Sequence, residues 1–347
     1  MPDDSYTPAA SRYDARPDGW FRRAGRSGLR LPSLSLGCWH NFGAPGSDSR
    51  GTGDEQAMQA NARSLLLSAF DCGVTHFDLA NNYGPPPGRA EERVGQVLRE
   101  DLANHRDELV ISTKAGWDMW PGPYGNFGSR KHLLASLDQS LKRLGLDYVD
   151  VYYHHRPDLD TPLEESLGAL DQAVRSGKAV YAAISNYPAD LTRRAFDRSA
   201  QDFFATPILN QSNYSMLNRG IEESLVETCG ELGVGIITFS PLAQGLLTER
   251  YLEAVPPDSR AATGKTLKTS RITAELQAKL RKLHAIAREG GRTLAQMALR
   301  WVLRDDRIAS TVIGASRPDQ IVDNCRAFET AILSADELAA IDRVLAG

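Results

Sequence analysis

The chain has 347 residues, which is long enough for one large α/β domain with an extensive core. Its 44 acidic and 40 basic residues give a formal net charge of −4, so neither nucleic acid nor an anionic membrane surface is expected as a partner. The four cysteines are scattered without CxxC or Cys/His spacing, which argues against a disulfide framework and against a metal site. No signal-like or membrane-spanning apolar run stands in the sequence, and we expect a cytoplasmic protein with reduced thiols.

Residues 1–19 are rich in Pro, Asp, Ser and Arg, and we expect them to form an extended, flexible arm. One domain is predicted at residues 20–347. It begins with two short strands around a glycine turn between Phe21 and Leu31, a β-hairpin that could plug the closed bottom of a barrel. The first barrel strand is predicted at residues 34–37, and it ends at Cys38 and Trp39.

Strand-like apolar runs then alternate with amphipathic runs of helical period along the chain. A regular alternation of this kind predicts a parallel sheet, and eight strands predict closure into a single (β/α)8 TIM barrel with long active-site loops. One helix is predicted to start with a capping box at Thr161 and Glu164, with proline at the first helical position. The later strands are predicted at residues 109–113, 149–155, 179–184, 207–209, 234–239 and 310–313. No G-x-G-x-x-G motif stands anywhere, so a doubly wound dinucleotide fold is not predicted.

Three successive barrel strands end in side chains that can carry chemistry. The second strand ends at Asp78 and leads into a turn with Tyr83, the third ends at Lys114, and the fourth ends at His154 and His155. The carboxyl ends of the strands of such a barrel meet at one rim, where its active sites lie. Side-chain alternation lets only one of the two histidines point into the barrel mouth.

Together these groups would make a proton-delivery device. A tyrosine titrates near 10, so it needs a nearby cation such as Lys114 to favour the phenolate, and Lys114 in turn needs an anion such as Asp78. A neutral histidine would donate a hydrogen bond to a substrate oxygen that is becoming an alkoxide. Taken singly, each residue is more readily explained as a cap, a loop anchor or a core residue. Their combination at successive strand ends favours catalysis.

Three motifs resemble those of the aldo-keto reductases: residues 77–84, residues 112–114, and the ending His155-Arg156-Pro157. The resemblance runs from about Arg22 to Asn324 and is strongest to the bacterial L-glyceraldehyde 3-phosphate reductase type. It extends more distantly to the β subunits of voltage-gated potassium channels. It implies that Asp78, Tyr83, Lys114 and His155, the tetrad below, are the catalytic residues.

Reduction of a carbonyl also needs a hydride, which no protein side chain can supply, so a nicotinamide cofactor is predicted. Ser185, Asn186 and Gln211 follow the fifth and sixth strands and could pair with a nicotinamide carboxamide. Phe239 ends the seventh strand, where it could be an ordinary core residue or could stack on the nicotinamide. The resemblance favours stacking.

A phosphate site is predicted after the eighth strand, where glycine, serine and arginine precede a helix. The resemblance implies that Ser316, Gln320 and Asn324, with Arg250 and Arg260, hold the adenosine end and its 2′-phosphate, which favours NADPH. The loop at about residues 244–271 would fold over the pyrophosphate and could limit turnover. The candidate cofactor contacts are Cys38, Trp39, Asp78, Ser185, Asn186, Gln211, Phe239, Ser240, Pro241, Leu242, Ala243, Gln244, Arg250, Arg260, Gly314, Ser316, Gln320, Asp323 and Asn324.

Residues 116–128 form a segment with Trp117, Trp120, Tyr124 and Phe127 among prolines and glycines. This composition is too aromatic for an ordinary surface loop. Two interpretations stay open: the segment overhangs the active-site mouth, or its rings only pack on the rim.

The leading hypothesis is an NADPH-dependent reductase of small aldehydes or ketones (EC 1.1.1), such as L-glyceraldehyde 3-phosphate or methylglyoxal, with Arg156 or Arg89 as conceivable anion contacts. The alternative is an NADP-binding regulatory subunit of a membrane channel, although that branch lacks a histidine at the position of His155. A metal-dependent barrel hydrolase would need clusters of histidine and acid that are absent from the sequence. The resemblance further implies a homo-oligomer of four or eight chains.

Overall fold

The structure, a computed structural model, describes residues 6–14, 17, 19–46, 53–256, 260–263 and 267–346. Its strands are β1 (Phe21–Arg23), β2 (Arg30–Pro32), β3 (Leu34–Gly37), β4 (His76–Asp78), β5 (Val110–Ala115), β6 (Val149–His154), β7 (Ala179–Ser185), β8 (Leu209–Asn213), β9 (Gly235–Phe239) and β10 (Ile308–Ile313). Its α-helices are α1 (Glu55–Asp71), α2 (Arg89–Glu100), α3 (Arg130–Leu144), α4 (Leu163–Arg175), α5 (Ala189–Gln201), α6 (Leu225–Leu232), α7 (Arg260–Thr263), α8 (Ala274–Glu289), α9 (Leu294–Val302), α10 (Pro318–Cys325) and α11 (Ala335–Ala346).

Strands β3 to β10 form a closed barrel of parallel neighbours in chain order, with β10 next to β3. The helices surround the barrel and bury their apolar faces against it. The predicted (β/α)8 TIM barrel is therefore confirmed. In such a barrel the carboxyl ends of all eight strands share one rim, so residues far apart in sequence become neighbours there.

The hairpin β1–β2 closes the opposite end of the barrel. Its residues Ala24 and Leu31 are fully buried and belong to the same apolar cluster as Val151, Ile237 and Ala309 from the barrel strands. Because this end is sealed by a plug, the strand ends on the other side are left for a site.

Two sequence predictions of local structure are wrong. The sixth barrel strand was predicted at residues 207–209, but β8 runs from Leu209 to Asn213, so its polar residues lie in the strand and not after it. The predicted capping box at Thr161 is absent, because Pro162 takes the N-cap position of α4 and the Thr161 hydroxyl donates to Asp158 Oδ2 at 2.6 Å instead. Ser129, by contrast, does cap α3, since its side chain accepts from the backbone N–H of His132.

The N-terminal arm differs from the extended chain expected from its composition. It has a 3-10 turn at Ala10–Arg12, the Tyr6 hydroxyl donates to Asp71 Oδ1 at 2.7 Å, and Arg12 pairs with Glu108 at 2.6 Å. The described part of the arm thus lies against α1 and the segment before β5. Residues 1–5, 15, 16 and 18 of the predicted arm are outside the described residues.

No helix in the described ranges combines the length and the apolar character needed to cross a membrane.

Candidate active site

A buried ion pair lies at the carboxyl ends of β4 and β5. The strand register pairs Asp78 with Ser112. Lys114 is two residues further along β5, so its side chain points to the same face of the sheet as that of Ser112. Lys114 Nζ donates to Asp78 Oδ2 at 2.7 Å and to the backbone oxygen of Leu79 at 2.7 Å. Lys114 is completely buried and Asp78 is 2% exposed. The structure thus brings together two charges that the sequence separates by 36 residues.

The charge state of this pair follows from its surroundings. Burial by itself would raise the pKa of Asp78, but the positive charge of Lys114 and the hydrogen bonds from Lys114 and Gln211 hold that pKa below its usual range. Burial lowers the pKa of the Lys114 ammonium, and pairing with Asp78 opposes that change. Asp78 is therefore a carboxylate at neutral pH, and a carboxylate is the partner that keeps a buried ammonium charged.

Tyr83 lies beside the pair. Its ring centroid is 5.0 Å from Lys114 Nζ, and its hydroxyl has no hydrogen-bond partner among the described residues. Burial raises the pKa of Tyr83 well above its ordinary value, and the negative charge of Asp78 raises it further. The Lys114 ammonium donates to Asp78 and Leu79 and not to Tyr83, so it does not lower the pKa of the resting phenol. Its distance of 5.0 Å from the ring lets it act on the negative charge that forms once the proton has left. Tyr83 is a protonated phenol in this structure, as a proton donor must be before it reacts.

The two histidines after β6 face different surroundings. The His155 ring lies edge-on to the Tyr83 ring, with centroids 5.7 Å apart, whereas His154 Nδ1 lies 2.7 Å from the Tyr187 hydroxyl. Burial lowers the pKa of His155 well below its ordinary value, and the charge of Lys114 lowers it further. His155 is therefore neutral at physiological pH and carries one N–H that can donate to a substrate oxygen.

The aromatic segment meets the site through one of its rings. Trp117 lies edge-on to His155 with ring centroids 6.2 Å apart, while Trp120 packs on His132 at 5.0 Å. Gly116 brings this segment close to β6, since a Cβ on Gly116 would lie 3.3 Å from the Cβ of His155. Trp117 therefore contacts a residue of the candidate active site, whereas Trp120 packs on a helix residue outside it.

The polar residues after β7 and within β8 surround the same opening. Gln211 Nε2 donates to Asp78 Oδ1 at 3.0 Å, so its amide nitrogen is committed to the carboxylate. Asn186 is exposed, and its amide donates to the backbone oxygen of His155 at 3.0 Å. Ser185 donates to the backbone oxygen of Gln211 at 2.9 Å. The side-chain oxygen of the exposed Asn186 can accept a hydrogen bond from a carboxamide.

The turn after β9 has left-handed backbone at three positions. Phe239 is half-buried at the strand end, and Ser240, Ala243 and Gln244 have φ values of 59°, 47° and 61°. A left-handed backbone of this kind can turn N–H groups toward an anion. The side-chain oxygen of Gln244 is buried without a hydrogen-bond partner among the described residues. Pro241 and Leu242 complete the turn.

The turn after β10 presents donors that a phosphate oxygen could use. Gln320 Oε1 accepts from the Ser316 backbone N–H at 2.8 Å and from the Ser316 hydroxyl at 3.3 Å. These two donors are of the kind from which a phosphate oxygen can accept. Asn324 is buried, whereas Gly314 is exposed and Asp323 pairs with Arg326 at 2.9 Å.

The remaining candidates differ in what they can offer. The Cys38 side chain is fully buried with its thiol 3.8 Å from the backbone oxygen of Leu36, so only its backbone could touch a cofactor. Trp39 is exposed, and its ring centroid is 6.3 Å from that of Tyr83. Arg250 is exposed in the loop after β9. The side chain of Arg260 lies outside the described residues. The donors described here are of the kinds that a nicotinamide dinucleotide requires.

Sequence reasoning missed the residues that hold Asp78 in place. Ser112 donates to Asp78 Oδ1 at 2.8 Å, and His76 Nε2 lies 2.9 Å from the Ser112 hydroxyl. Their signal was present, because His76 and Ser112 stand two residues before Asp78 and Lys114 and so point to the same side of their strands. In the part of the chain that the structure describes, no group of three or more His, Cys, Asp or Glu side chains could hold a metal ion.

Comparison with known proteins agrees with this geometry. The sequence model of the aldo/keto reductase family matches residues 33–346. The chain is 50% identical over 336 residues to the L-glyceraldehyde 3-phosphate reductase of Escherichia coli K12, a match that covers 94% of this chain and 92% of the relative. It is 36% identical over 328 residues to a probable voltage-gated potassium channel subunit beta of Oryza sativa, covering 93% and 95% of the two chains. A similarly described protein of Arabidopsis thaliana is 37% identical over 313 residues, covering 89% and 91%.

Proposed function

The chain belongs to the aldo/keto reductase family, an oxidoreductase family, and from that premise we propose that it reduces small aldehydes with NADPH, L-glyceraldehyde 3-phosphate among them. The observation that carries the proposal is the buried pair of Lys114 and Asp78, 2.7 Å apart, beside a phenol and a neutral imidazole. A protonated phenol next to a fixed positive charge is suited to giving a proton to an oxygen that gains negative charge.

Each member of the tetrad has a role in the proposed reaction. A bound nicotinamide cofactor supplies the hydride to the carbonyl carbon. Tyr83 gives its proton to the carbonyl oxygen, and His155, neutral because its pKa is low, donates a hydrogen bond that orients that oxygen. Lys114 stabilises the phenolate that Tyr83 leaves behind, and Asp78 keeps Lys114 protonated.

The choice of NADPH is part of the proposal. Members of the family generally use NAD(P)H, and the donors of Ser316 together with Arg250 and Arg260 would suit a 2′-phosphate. The nicotinamide end would meet Ser185, Asn186 and Phe239. The turn at residues 240–244 would meet the pyrophosphate. We also propose a cytoplasmic homo-oligomer, on the support of four free cysteines and the resemblance to oligomeric reductases.

The test is NADPH oxidation by the isolated protein in the presence of a carbonyl compound. L-glyceraldehyde 3-phosphate, methylglyoxal and an aromatic aldehyde are compared by kcat/KM, each with NADPH and with NADH. We expect turnover that depends on the carbonyl and is faster with NADPH. If the protein binds NADPH but oxidises it with none of the three, the regulatory-subunit alternative suggested by the 36% identical relative is favoured instead.

Arg156 is the cation best placed to recognise a phosphate on the substrate. It follows His155 directly, and its guanidinium carbon lies 3.8 Å from the Trp117 ring centroid and 4.6 Å from that of Phe127. It donates to the backbone oxygen of Gly116 and to Asn126 Oδ1, both at 2.9 Å. No carboxylate among the described residues neutralises its charge. Arg89, by contrast, pairs with Glu92 at 2.9 Å.

We therefore expect Arg156→Met to lower kcat/KM for L-glyceraldehyde 3-phosphate by about 10- to 100-fold, since a hydrogen bond to a charged group is lost. The value for unphosphorylated L-glyceraldehyde should change little. Arg89→Met, which removes a neutralised cation, is the matched control and should affect neither substrate. An equal loss for both substrates in Arg156→Met would mean that Arg156 only holds the aromatic segment.

A further inference from the structure

A row of buried polar side chains crosses the barrel interior from β10 to β5. Ser310 Oγ lies 2.6 Å from Ser35 Oγ, which lies 2.8 Å from His76 Nδ1. On the other side of the ring, His76 Nε2 lies 2.9 Å from Ser112 Oγ, and Ser112 donates to Asp78 Oδ1 at 2.8 Å. All four members, Ser310, Ser35, His76 and Ser112, are completely buried. This row, called the interior chain below, ends on the carboxylate of the candidate active site.

The direction of each hydrogen bond in the interior chain follows from Asp78. A carboxylate can only accept, so the single hydrogen of the Ser112 hydroxyl is committed to Asp78. Ser112 can then only accept from His76, which requires a hydrogen on Nε2. Burial lowers the pKa of His76 to about 4, although the charge of Asp78 opposes that change. His76 is therefore neutral at pH 7, and its Nδ1 accepts from Ser35.

A count of hydrogens shows where the interior chain is well determined. Besides the four contacts above, Ser310 Oγ lies 2.6 Å from the backbone oxygen of Pro32 and 3.4 Å from that of Ser33. Three hydroxyls and one neutral imidazole supply four hydrogens for these six contacts. The shortage falls on Ser310, which can donate to Ser35, Pro32 or Ser33. The end next to Asp78 has one possible arrangement, whereas the end beneath the hairpin has three.

We propose that His76 is a positioning residue for the reductase reaction: by donating from Nε2 it directs the Ser112 hydroxyl onto Asp78 and so holds the carboxylate toward Lys114. The inference rests on the proposed function. His76 touches neither substrate nor cofactor, and it acts through Ser112 and Asp78. Ser112 and Gln211 together occupy Oδ1, which leaves Oδ2 to Lys114.

Two amide substitutions separate this role from simple packing. The amide nitrogen of glutamine is as many bonds from Cβ as Nε2 of histidine, whereas the amide nitrogen of asparagine matches Nδ1. His76→Gln should therefore keep the hydrogen bond to Ser112 and retain kcat within about threefold, while His76→Asn should lower kcat by about tenfold, the effect of one lost hydrogen bond. The Kd for NADPH should be unchanged in both variants.

A matched control lies elsewhere in the barrel wall. Thr238 is completely buried and its hydroxyl donates to Thr311 Oγ1 at 2.7 Å, without a connection to Asp78. Thr238→Val should lower Tm without a selective fall in kcat. Equal kcat values in the two His76 amide variants would overturn the positioning role, because a structural role would affect Tm and not separate glutamine from asparagine.

A measurement on the wild-type protein tests the interior chain without any turnover. With 15N-labelled histidine, the seven histidines are resolved by NMR and His76 is identified by comparison with His76→Gln. At pH 7 we expect His76 to carry its hydrogen on Nε2. A hydrogen on Nδ1 alone, or a charged ring, would overturn the positioning role. A wild-type protein without carbonyl-dependent NADPH oxidation would overturn the proposed function and the positioning role with it, even if the tautomer is as expected.

Discussion

Tyr83→Phe is expected to lower kcat for carbonyl reduction by about 10²- to 10⁴-fold, the usual contribution of a general acid. Phenylalanine keeps the ring, so the contacts to His155 at 5.7 Å and to Lys114 at 5.0 Å persist. Only the hydroxyl is lost, and that hydroxyl has no hydrogen-bond partner among the described residues. The fold and the Kd for NADPH, measured by fluorescence titration, should therefore be unchanged.

Tyr148→Phe is the matched control for this variant. Tyr148 lies before β6, where its ring packs under Arg106 with the guanidinium carbon 4.3 Å from the ring centroid. Removing its hydroxyl should leave kcat as it is. If Tyr83→Phe retained the turnover of the wild-type protein, the assignment of Tyr83 as the proton donor would be wrong.

Lys114→Met is expected to be the most destabilising of the substitutions considered. Methionine has a similar length but no charge, so the carboxylate of Asp78 would remain in the core without a cation. Breaking a buried pair in this way costs about 3–5 kcal/mol of the free energy of unfolding. Turnover should also be lost, since nothing would stabilise the phenolate of Tyr83. Urea unfolding monitored by circular dichroism measures the first effect, and NADPH oxidation measures the second.

The loss of stability caused by Lys114→Met should become smaller as the pH falls from 7 to 5. In the wild-type protein the pKa of Asp78 is held below its usual value, so its contribution to stability is present above about pH 4 and is lost only at more acidic pH. In Lys114→Met, burial without a cation raises that pKa, and Asp78 takes up a proton as the pH falls. The difference between the two proteins should therefore be smaller at pH 5 than at pH 7.

Two further variants check the cause of the effect. Lys178→Met removes a surface pair with Asp138, whose two side chains are 44% and 50% exposed, and should cost about 0–1 kcal/mol. Adding Asp78→Asn to Lys114→Met should restore part of the stability, because no charge is left buried. A Lys114→Met protein as stable as Lys178→Met would show that the ion pair contributes nothing to folding.

The sequence predicted secondary-structure elements correctly where they depend only on residues close together in the chain. The hairpin lies as predicted, and so do the ends of the strands at Asp78 and Phe239. The errors have physical causes. Residues 210–213 are polar: Gln211 donates to Asp78, whereas Asn210 donates to the backbone oxygen of Tyr187, so β8 lacks the apolar pattern of a barrel strand. The Thr161 hydroxyl donates to Asp158, and α4 begins one residue later with Pro162 at the N-cap, so Thr161 accepts from none of the helix N–H groups.

By itself, the sequence determined the barrel, because eight alternations of strand and helix leave few other ways to bury the apolar faces. It also placed Asp78, Lys114 and His155 at strand ends and Tyr83 in the turn that follows Asp78, because that requires only the positions of these residues relative to apolar runs. Only the tertiary structure decided how the charges are distributed. Lys114 gives its hydrogens to Asp78 and Leu79 and not to Tyr83, and Asp78 is held by Ser112 and Gln211 from two other strands. A pKa depends on burial and on distances across the barrel, and neither can be read from the order of residues along one strand.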